Sequence, residues 1–275
     1  MTVSDRSSAT VLVRGVGDVG SAVAISLLRA GYSVAIHDEP TPAAPRRGMA
    51  FVDAMFDGKA ALDGAVAGRF DRFDTFIRAL VERELLPVTA LPFSDVVSAA
   101  RWSVLVDARL RKRSHPEHQI GLAALTVGLG PNFVAGENVD LAIETSWGER
   151  LGAVITRGPT LALAGEPRPI AGIGRARFVY APVEGCFETT ARIGDSVLVG
   201  QPIANIGNAT LFAPLAGIIR GLTHSGVPVS VAAKVIEIDP RGDPSAAFGL
   251  GERPKRIAEG VCRAIARREA LDNKK

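Results

Sequence analysis

The string Arg14-Gly15-Val16-Gly17-Asp18-Val19-Gly20 constrains this chain more than any other, because of what flanks it. It follows the apolar run Thr10-Val11-Leu12-Val13 and opens a helix-like stretch from Ser21 to Ala30. A second apolar run, Ser33-Val34-Ala35-Ile36-His37, then ends in the acids Asp38 and Glu39. In this strand-turn-helix-strand setting the glycines of a GxGxxG string have physical jobs: a tight turn, close approach of backbone to a phosphate, and close helix-on-strand packing. A phosphate would rest on the free N–H groups at the helix N-terminus. Without a ligand the same string is a tight turn and nothing more.

Asp18 complicates the phosphate reading, since a carboxylate beside a pyrophosphate is repulsive unless a cation intervenes. Arg14, Arg46 or Arg47 could supply it. Asp38 or Glu39 is spaced to hold the ribose 2′-hydroxyl of NAD, whereas Arg46 and Arg47 favour the phosphorylated ribose of NADP or another anion. The cofactor-binding candidates are therefore Arg14, Gly15, Gly17, Asp18, Gly20, Asp38, Glu39, Arg46 and Arg47. The paired arginines have an equally good reading as solvated surface.

Beyond the first unit, Pro40 to Arg47 reads as a loop. Met49 to Gly58 is apolar at helical spacing and stops at glycine, so it reads as a short helix. Asp71 to Glu84 is helical or mixed, Leu85 to Val88 a short strand, and Phe93 to Ala100 a brief helix. Ser103 to Arg109 looks like a buried parallel strand, followed by the basic residues Arg111, Lys112 and Arg113. Ala124 to Gly128 and Val139 to Glu144 are further strands. Strands alternating with helices predict a Rossmann-like, doubly wound, mostly parallel α/β sheet with ligands at the carboxyl ends of its strands. Asp107 and Arg109 end one strand, where ligand contact and a loop-fixing ion pair are comparable readings. Glu144 ends another, before Thr145 and Trp147, and is a general-base candidate.

From Ala181 the chain repeats itself without gaps. Ala181-Pro182-Val183-Glu184-Gly185 falls on Ala213-Pro214-Leu215-Ala216-Gly217, Gly194 on Gly226, Val197 on Val229, Val199 on Val231 and Ile206 on Ile238. Two such copies predict a small all-β module closed by pseudo-twofold symmetry. The module resembles a biotinyl/lipoyl-type barrel-sandwich hybrid, through the A-P-x-x-G elements and Gly194 to Gln201. A carrier of that type presents a lysine on the hairpin before the second A-P-x-x-G. Here that hairpin reads Ile206-Gly207-Asn208-Ala209-Thr210 and has none, so covalent biotin or lipoate is not expected.

At 275 residues the chain predicts more than one domain: 1–175 Rossmann-like, 176–240 the β module, and 241–275 a loop with a helix over Lys255 to Ala270 and a disordered tail from Leu271. Cys186 and Cys262 lack metal-ligand spacing and suit a reducing cytoplasm. His37, His115, His118 and His224 have no metal-ligand spacing, and although His115 and His118 share a loop with Glu117, no metal is expected. The polar Met1 to Ser8 has no apolar leader core, and no run is long enough to span a bilayer. With a formal net charge of +3 and sparse aromatics, nucleic acid is not an expected partner. No serine sits in a GxSxG elbow.

Taken together, these stretches resemble the selenium-dependent molybdenum hydroxylase system protein family (YqeB-like). The matching segments are the glycine loop with its helix, Arg46 to Gly58, Val104 to Arg113, Val127 to Ile155, the repeat and Ile238 to Pro244. The resemblance implies an accessory role in maturing a molybdenum hydroxylase, with the hydroxylase apoenzyme as partner; together with the glycine loop it makes a nucleotide or molybdopterin the expected ligand. No selenocysteine or molybdenum ligand is present. The alternatives are an NAD(P)-dependent oxidoreductase and a non-catalytic scaffold, either of which could be a homo-oligomer.

Overall fold

A computed structural model describes residues 9–111, 114–163 and 165–272. Met1 to Ser8, Lys112, Arg113 and the last three residues of the expected tail lie outside the described residues.

The glycine string sits where its flanks require, between β1 (Thr10–Arg14) and helix α1 (Asp18–Arg29), followed by β2 (Ser33–His37). The chain continues through α2 (Ala54–Asp57), β3 (Lys59–Leu62), β4 (Ala65–Arg69), α3 (Phe73–Glu82), β5 (Leu86–Thr89), α4 (Phe93–Ala99) and β6 (Val104–Asp107). It then adds β7 (Leu125–Leu129), β8 (Val134–Ala135), β9 (Leu141–Ile143) and β10 (Val154–Ile155). Nine of these strands form one sheet in the order β10-β9-β7-β6-β1-β2-β5-β4-β3. Every neighbouring pair from β9 to β4 is parallel, and only the edge strands β10 and β3 run antiparallel. From β1 the chain first builds outward through β2, then returns to place β6 on the other flank of β1. That reversal opens a crevice at the carboxyl ends of β1 and β6.

Alternation along the strands separates two cores. Val11 and Val13 face α1, which is buried along most of its length because a second helix covers it. That cover is α5 (Glu252–Asp272), whose Ile257, Val261, Ala264 and Ile265 join the same core. The periodicity that predicts this helix is thus its contact face, though the helix spans Glu252–Asp272, longer than the expected Lys255 to Ala270 and reaching into the expected disordered tail. Leu12, Ala35 and Leu105 point the other way, onto Phe76 and Leu80 of α3, Val96 of α4, and Trp102.

After β11 (Gly158–Pro159) comes the β module: β12 (Phe178–Tyr180), β13 (Gly185–Glu188), β14 (Ser196–Val197), β15 (Pro202–Ile206), β16 (Ala209–Phe212), β17 (Gly217–Leu222), β18 (Val227–Val229) and β19 (Lys234–Asp239). They form two antiparallel four-stranded sheets, β12-β19-β17-β14 and β16-β15-β13-β18. Exchanging β12 with β16, β13 with β17, β14 with β18 and β15 with β19 converts one sheet into the other. The sequence repeat is therefore a structural pseudo-twofold. Paired positions share burial, as Phe187 with Ile219 and Ile206 with Ile238, all fully buried. They also share backbone: φ is +93° at Gly194 and +90° at Gly226.

Two local expectations need correction. Met49 to Gly58 is not one helix but a 3₁₀ turn, Arg47–Met49, and the single turn α2. The β3–β4 hairpin, turning at Asp63-Gly64, was not anticipated.

The three loop glycines differ in what the fold demands of them. Gly15 has φ +112°, and a Cβ there would stand 2.9 Å from the Ala108 backbone. A Cβ at Gly20 would collide with the Gly15 carbonyl oxygen at 1.8 Å. Gly17 has an ordinary extended conformation, φ −64° and ψ −177°, and a Cβ there would meet nothing nearer than Ala44 at 4.0 Å. Gly20→Ala is accordingly expected to cost about 3 kcal/mol or more through overpacking, and Gly17→Ala about 0.5 kcal/mol or less. Urea unfolding of both variants checks the difference.

Candidate functional site

Two polar clusters flank the crevice, one on each face of the sheet. The first lies at the N-terminus of α1. Asp18 is the first helical residue, and Gly17, the N-cap, has no side chain to bond the free amides. Among the described residues the amides of Gly17 and Asp18 have no hydrogen-bond partner, while that of Val16 donates to Asp38 Oδ2 at 2.7 Å. The Asp18 carboxylate instead meets Arg46, whose Nη1 donates to it at 2.9 Å. The rest of the Arg46 guanidinium forks onto Glu237 of β19, with Nε to Oε2 at 2.9 Å and Nη2 to Oε1 at 3.2 Å. Arg177 approaches the same carboxylate at 3.4 Å and Lys234 at 3.8 Å.

Burial alone would raise the Glu237 carboxyl, but Arg46, Lys234 and Arg220 overcome it and bring it down to about 2. Asp18 is also held below its usual range: Arg46, then Arg253 and Lys234, outweigh the effect of burial. Arg46 thereby links α1 to the β module. Around it, the segment read as a proline loop docks on that module: Leu222 N–H donates to the Pro45 carbonyl at 2.7 Å, and Phe56 stacks on His224 at 4.1 Å. Arg47 is not an open anion ligand either, since it forks onto Asp53 at 2.5 and 3.2 Å.

The second cluster occupies the opposite face, where Arg14, His37 and Asp107 stand in register at the ends of three adjacent parallel strands. The Arg14 guanidinium lies 3.5 Å over the Phe93 ring. It donates to Glu117 and stands 3.7 Å from Asp107. Arg109 donates through Nε to Asp107 Oδ1 at 3.0 Å and through Nη2 to Glu117 Oε1 at 2.8 Å. Gln119 Nε2 donates to Asp107 Oδ2 at 2.6 Å. Asp107 and Arg109 are thus an ion pair within the protein.

The remaining candidates have structural employment. Asp38 accepts from the Val16 and Glu39 amides, so it ties down the glycine loop; burial raises its carboxyl. A ribose hydroxyl would have to share it. Glu39 is exposed and pairs with Arg111 at 3.1 Å. Glu144, the general-base candidate, is held by backbone amides. Glu144 is 1% exposed, and its two oxygens accept from the amides of Thr145, Ser146 and Leu161 at 2.7–2.8 Å, fastening the turn after β9 to the segment that follows β11. Among the described residues no group of three or more His, Cys, Asp or Glu is placed to hold a metal, and no helix is long and apolar enough to cross a membrane.

Sequence reading missed Glu237 and Gln119, and weighed Glu117 only as a loop neighbour of His115 and His118. Glu237 carried a signal, a lone acid inside the apolar run Val235-Ile236-Glu237-Ile238. Glu117 and Gln119 carried none.

No family model matches the chain. It is 34% identical over 255 residues to the uncharacterized protein YqeB of Escherichia coli (strain K12), covering 93% of this chain and 47% of that protein. The chain is homologous to YqeB over most of its length. It spans about half the length of that relative. Among solved structures, the product-bound ectoine utilization protein EutE (DoeB) of Ruegeria pomeroyi is 19% identical over 30% of this chain and 27% of its own, with a TM-score of 0.22. A succinylglutamate desuccinylase/aspartoacylase of Rhodobacter sphaeroides is 17% identical over 84% of each chain, with a TM-score of 0.25. Similarities this slight carry no argument.

Two outcomes are expected. Arg46→Met leaves Glu237 and Asp18 short of their main partner and should cost about 2–3 kcal/mol in urea unfolding; a loss below about 0.5 kcal/mol would dismiss the linking role. His37 is pushed down to about 4, chiefly by burial and also by Arg14. Its unfolded value is near 6.5, so the unfolded chain binds the proton first, and stability is lost as pH falls from about 6.5 to about 4. The loss by pH 5 is roughly 2 kcal/mol. Denaturation at pH 7 and pH 5 should show it, and His37→Gln should flatten it.

Proposed function

We propose that this chain binds a phosphate-bearing ligand, a nucleotide or the molybdopterin cofactor, over its glycine loop, and acts as an accessory protein in maturing a molybdenum hydroxylase. The observation that carries the first half is Gly17. The fold requires glycine at 15 and 20 but not at 17, while the adjacent amides of Gly17 and Asp18 point from a helix N-terminus with no partner. A glycine that neither backbone nor packing demands leaves room for close approach of a ligand. Arg46 offsets the Asp18 carboxylate, which removes the main electrostatic objection to an anion there. The hydroxylase, as apoenzyme partner, rests on the YqeB-like resemblance.

The β module is read as a barrel-sandwich hybrid of the biotinyl/lipoyl type, supported by its pseudo-twofold pair of four-stranded sheets. Its β15–β16 turn, Gly207-Asn208, offers no lysine for a prosthetic group. The module serves as a docking body rather than a carrier. A scaffold reading with an empty crevice draws on the internal pairing of Arg46, Arg47, Asp107 and Arg109.

Thermal-shift titration with NAD, NADP, ATP, CTP and molybdopterin tests the proposal. A ligand at a hundredfold excess over its Kd adds about 2.7 kcal/mol, a rise of several degrees in Tm for a chain of this size. Gly17→Glu has room for its Cβ and should fold, yet should abolish the response. No stabilisation by any of the five, or stabilisation that survives Gly17→Glu, would overturn the reading.

A further inference from the structure

The cluster on the face opposite α1 is built around charges that the glycine-loop reading does not use. Arg14 and Arg109, with side chains only 7% and 9% exposed, converge on a single oxygen, Oε1, of Glu117. Asp107, 2% exposed, supplies the other negative charge. Asp107 is fixed by its strand, by Arg109 and by Gln119. Glu117 is different in kind: it projects from an irregular segment outside any helix or strand, and its side chain is 44% exposed. Water is therefore open to Glu117 but not to the arginines.

Three buried polar atoms on residues of this cluster have no partner among the described residues: Arg14 Nε, His37 Nδ1 and Gln119 Oε1. Their residues are 6%, 8% and 0% exposed. Each unmet group costs of the order of 1–3 kcal/mol, so two at the ends of adjacent strands and a third on the residue bonded to Asp107 mark a place where polar partners are missing. Their chemistry is definite. Gln119 Nε2 faces the Asp107 carboxylate, which only accepts, so Oε1 is the free acceptor. His37 is neutral at pH 7, and its Nε2 lies 3.0 Å from the Leu91 carbonyl, to which it must donate. His37 Nδ1 is then a second free acceptor, and Arg14 Nε a free donor. A small recess lined by Asp107, Arg109, Arg111, Pro116, Pro131 and Phe133 adjoins the cluster, with room for about one water molecule. Pro116, one of the residues lining it, immediately precedes Glu117.

We propose that Arg14 and Arg109 form an oxyanion receptor and that Glu117 is its internal occupant, yielding to the carboxylate or phosphate group of a small ligand that also carries N–H or O–H donors. Two guanidinium forks match an oxyanion. When Glu117 swings into water, Asp107 balances only one of the two buried arginines, and an incoming anion restores neutrality. The ligand's donors meet His37 Nδ1 and Gln119 Oε1, and its oxygen takes Arg14 Nε. Because burial is outweighed by Arg14 and Arg109, the Glu117 carboxyl lies at about 2, so competition rather than protonation empties the receptor in the neutral range.

Isothermal titration at constant ionic strength with inorganic phosphate and, separately, succinate tests this. Glu117→Ala should bind at least one of them at least tenfold more tightly than the unaltered protein, since the internal competitor is gone. The probe that gains more tells phosphate from carboxylate. Adding Arg109→Met should abolish the gain; Glu117→Gln, which keeps the acceptor without the charge, should give an intermediate one. Equal affinity for both probes in the unaltered protein and Glu117→Ala, or a gain that survives Arg109→Met, would overturn the proposal. If Glu117→Ala fails to fold, Glu117→Gln carries the same comparison. Succinate carries no phosphate, so a gain in its affinity reads this receptor and not the glycine-loop site, and the two stand or fall separately.

Discussion

The junction of the two parts rests on one guanidinium. Arg46 reaches the Asp18 carboxylate at the head of α1 and forks onto Glu237, a fully buried acid in the β module. Glu237 could not remain charged in its buried setting without a cation, and the partly exposed Asp18 is held below its usual range chiefly by the same guanidinium. The docking of Pro45 on Leu222 and of Phe56 on His224 falls into place around that link. A loop that sequence composition marks as irregular is thus the hinge plate of the molecule.

The crevice owes its character to topology. Reversal of strand order at β1 brings Arg14, His37 and Asp107 to one level on one face and the glycine loop to the other. The faces use charge differently. On the α1 side, cations from a distant strand and loop surround a helix N-terminus that already carries an acid. On the other, two strand-end arginines are neutralised by one fixed acid and one displaceable one. Each arrangement suits anions.

Particular residues show how much was legible. The glycine string and its flanking runs were readable because their spacing is local, and the resulting unit appears with parallel registers on both sides of β1. The helix over 252–272 was readable from its apolar stripe, but not that the stripe would cover α1 after a β module intervened. The repeat was readable because each strand and turn is duplicated in order. The β3–β4 hairpin carries an Asp63-Gly64 turn between short runs and was overlooked, although such a dipeptide is a strong hairpin signal. The setting of Glu144 was not legible, because a carboxylate at a strand end looks the same in sequence whether it faces a substrate or three backbone amides.

By itself, the sequence determined the α/β class, the strand-turn-helix at the glycine loop and the twofold β repeat, all of which follow from periodicities and backbone demands within a few dozen residues. The tertiary structure alone decided which charges meet. Arg46 and Glu237 are separated by 191 positions and Arg14 and Glu117 by 103, so no local pattern could pair them. Their union depends on the reversal of strand order and on the seating of the β module, and the energy of a buried charge is fixed by the partner it meets there.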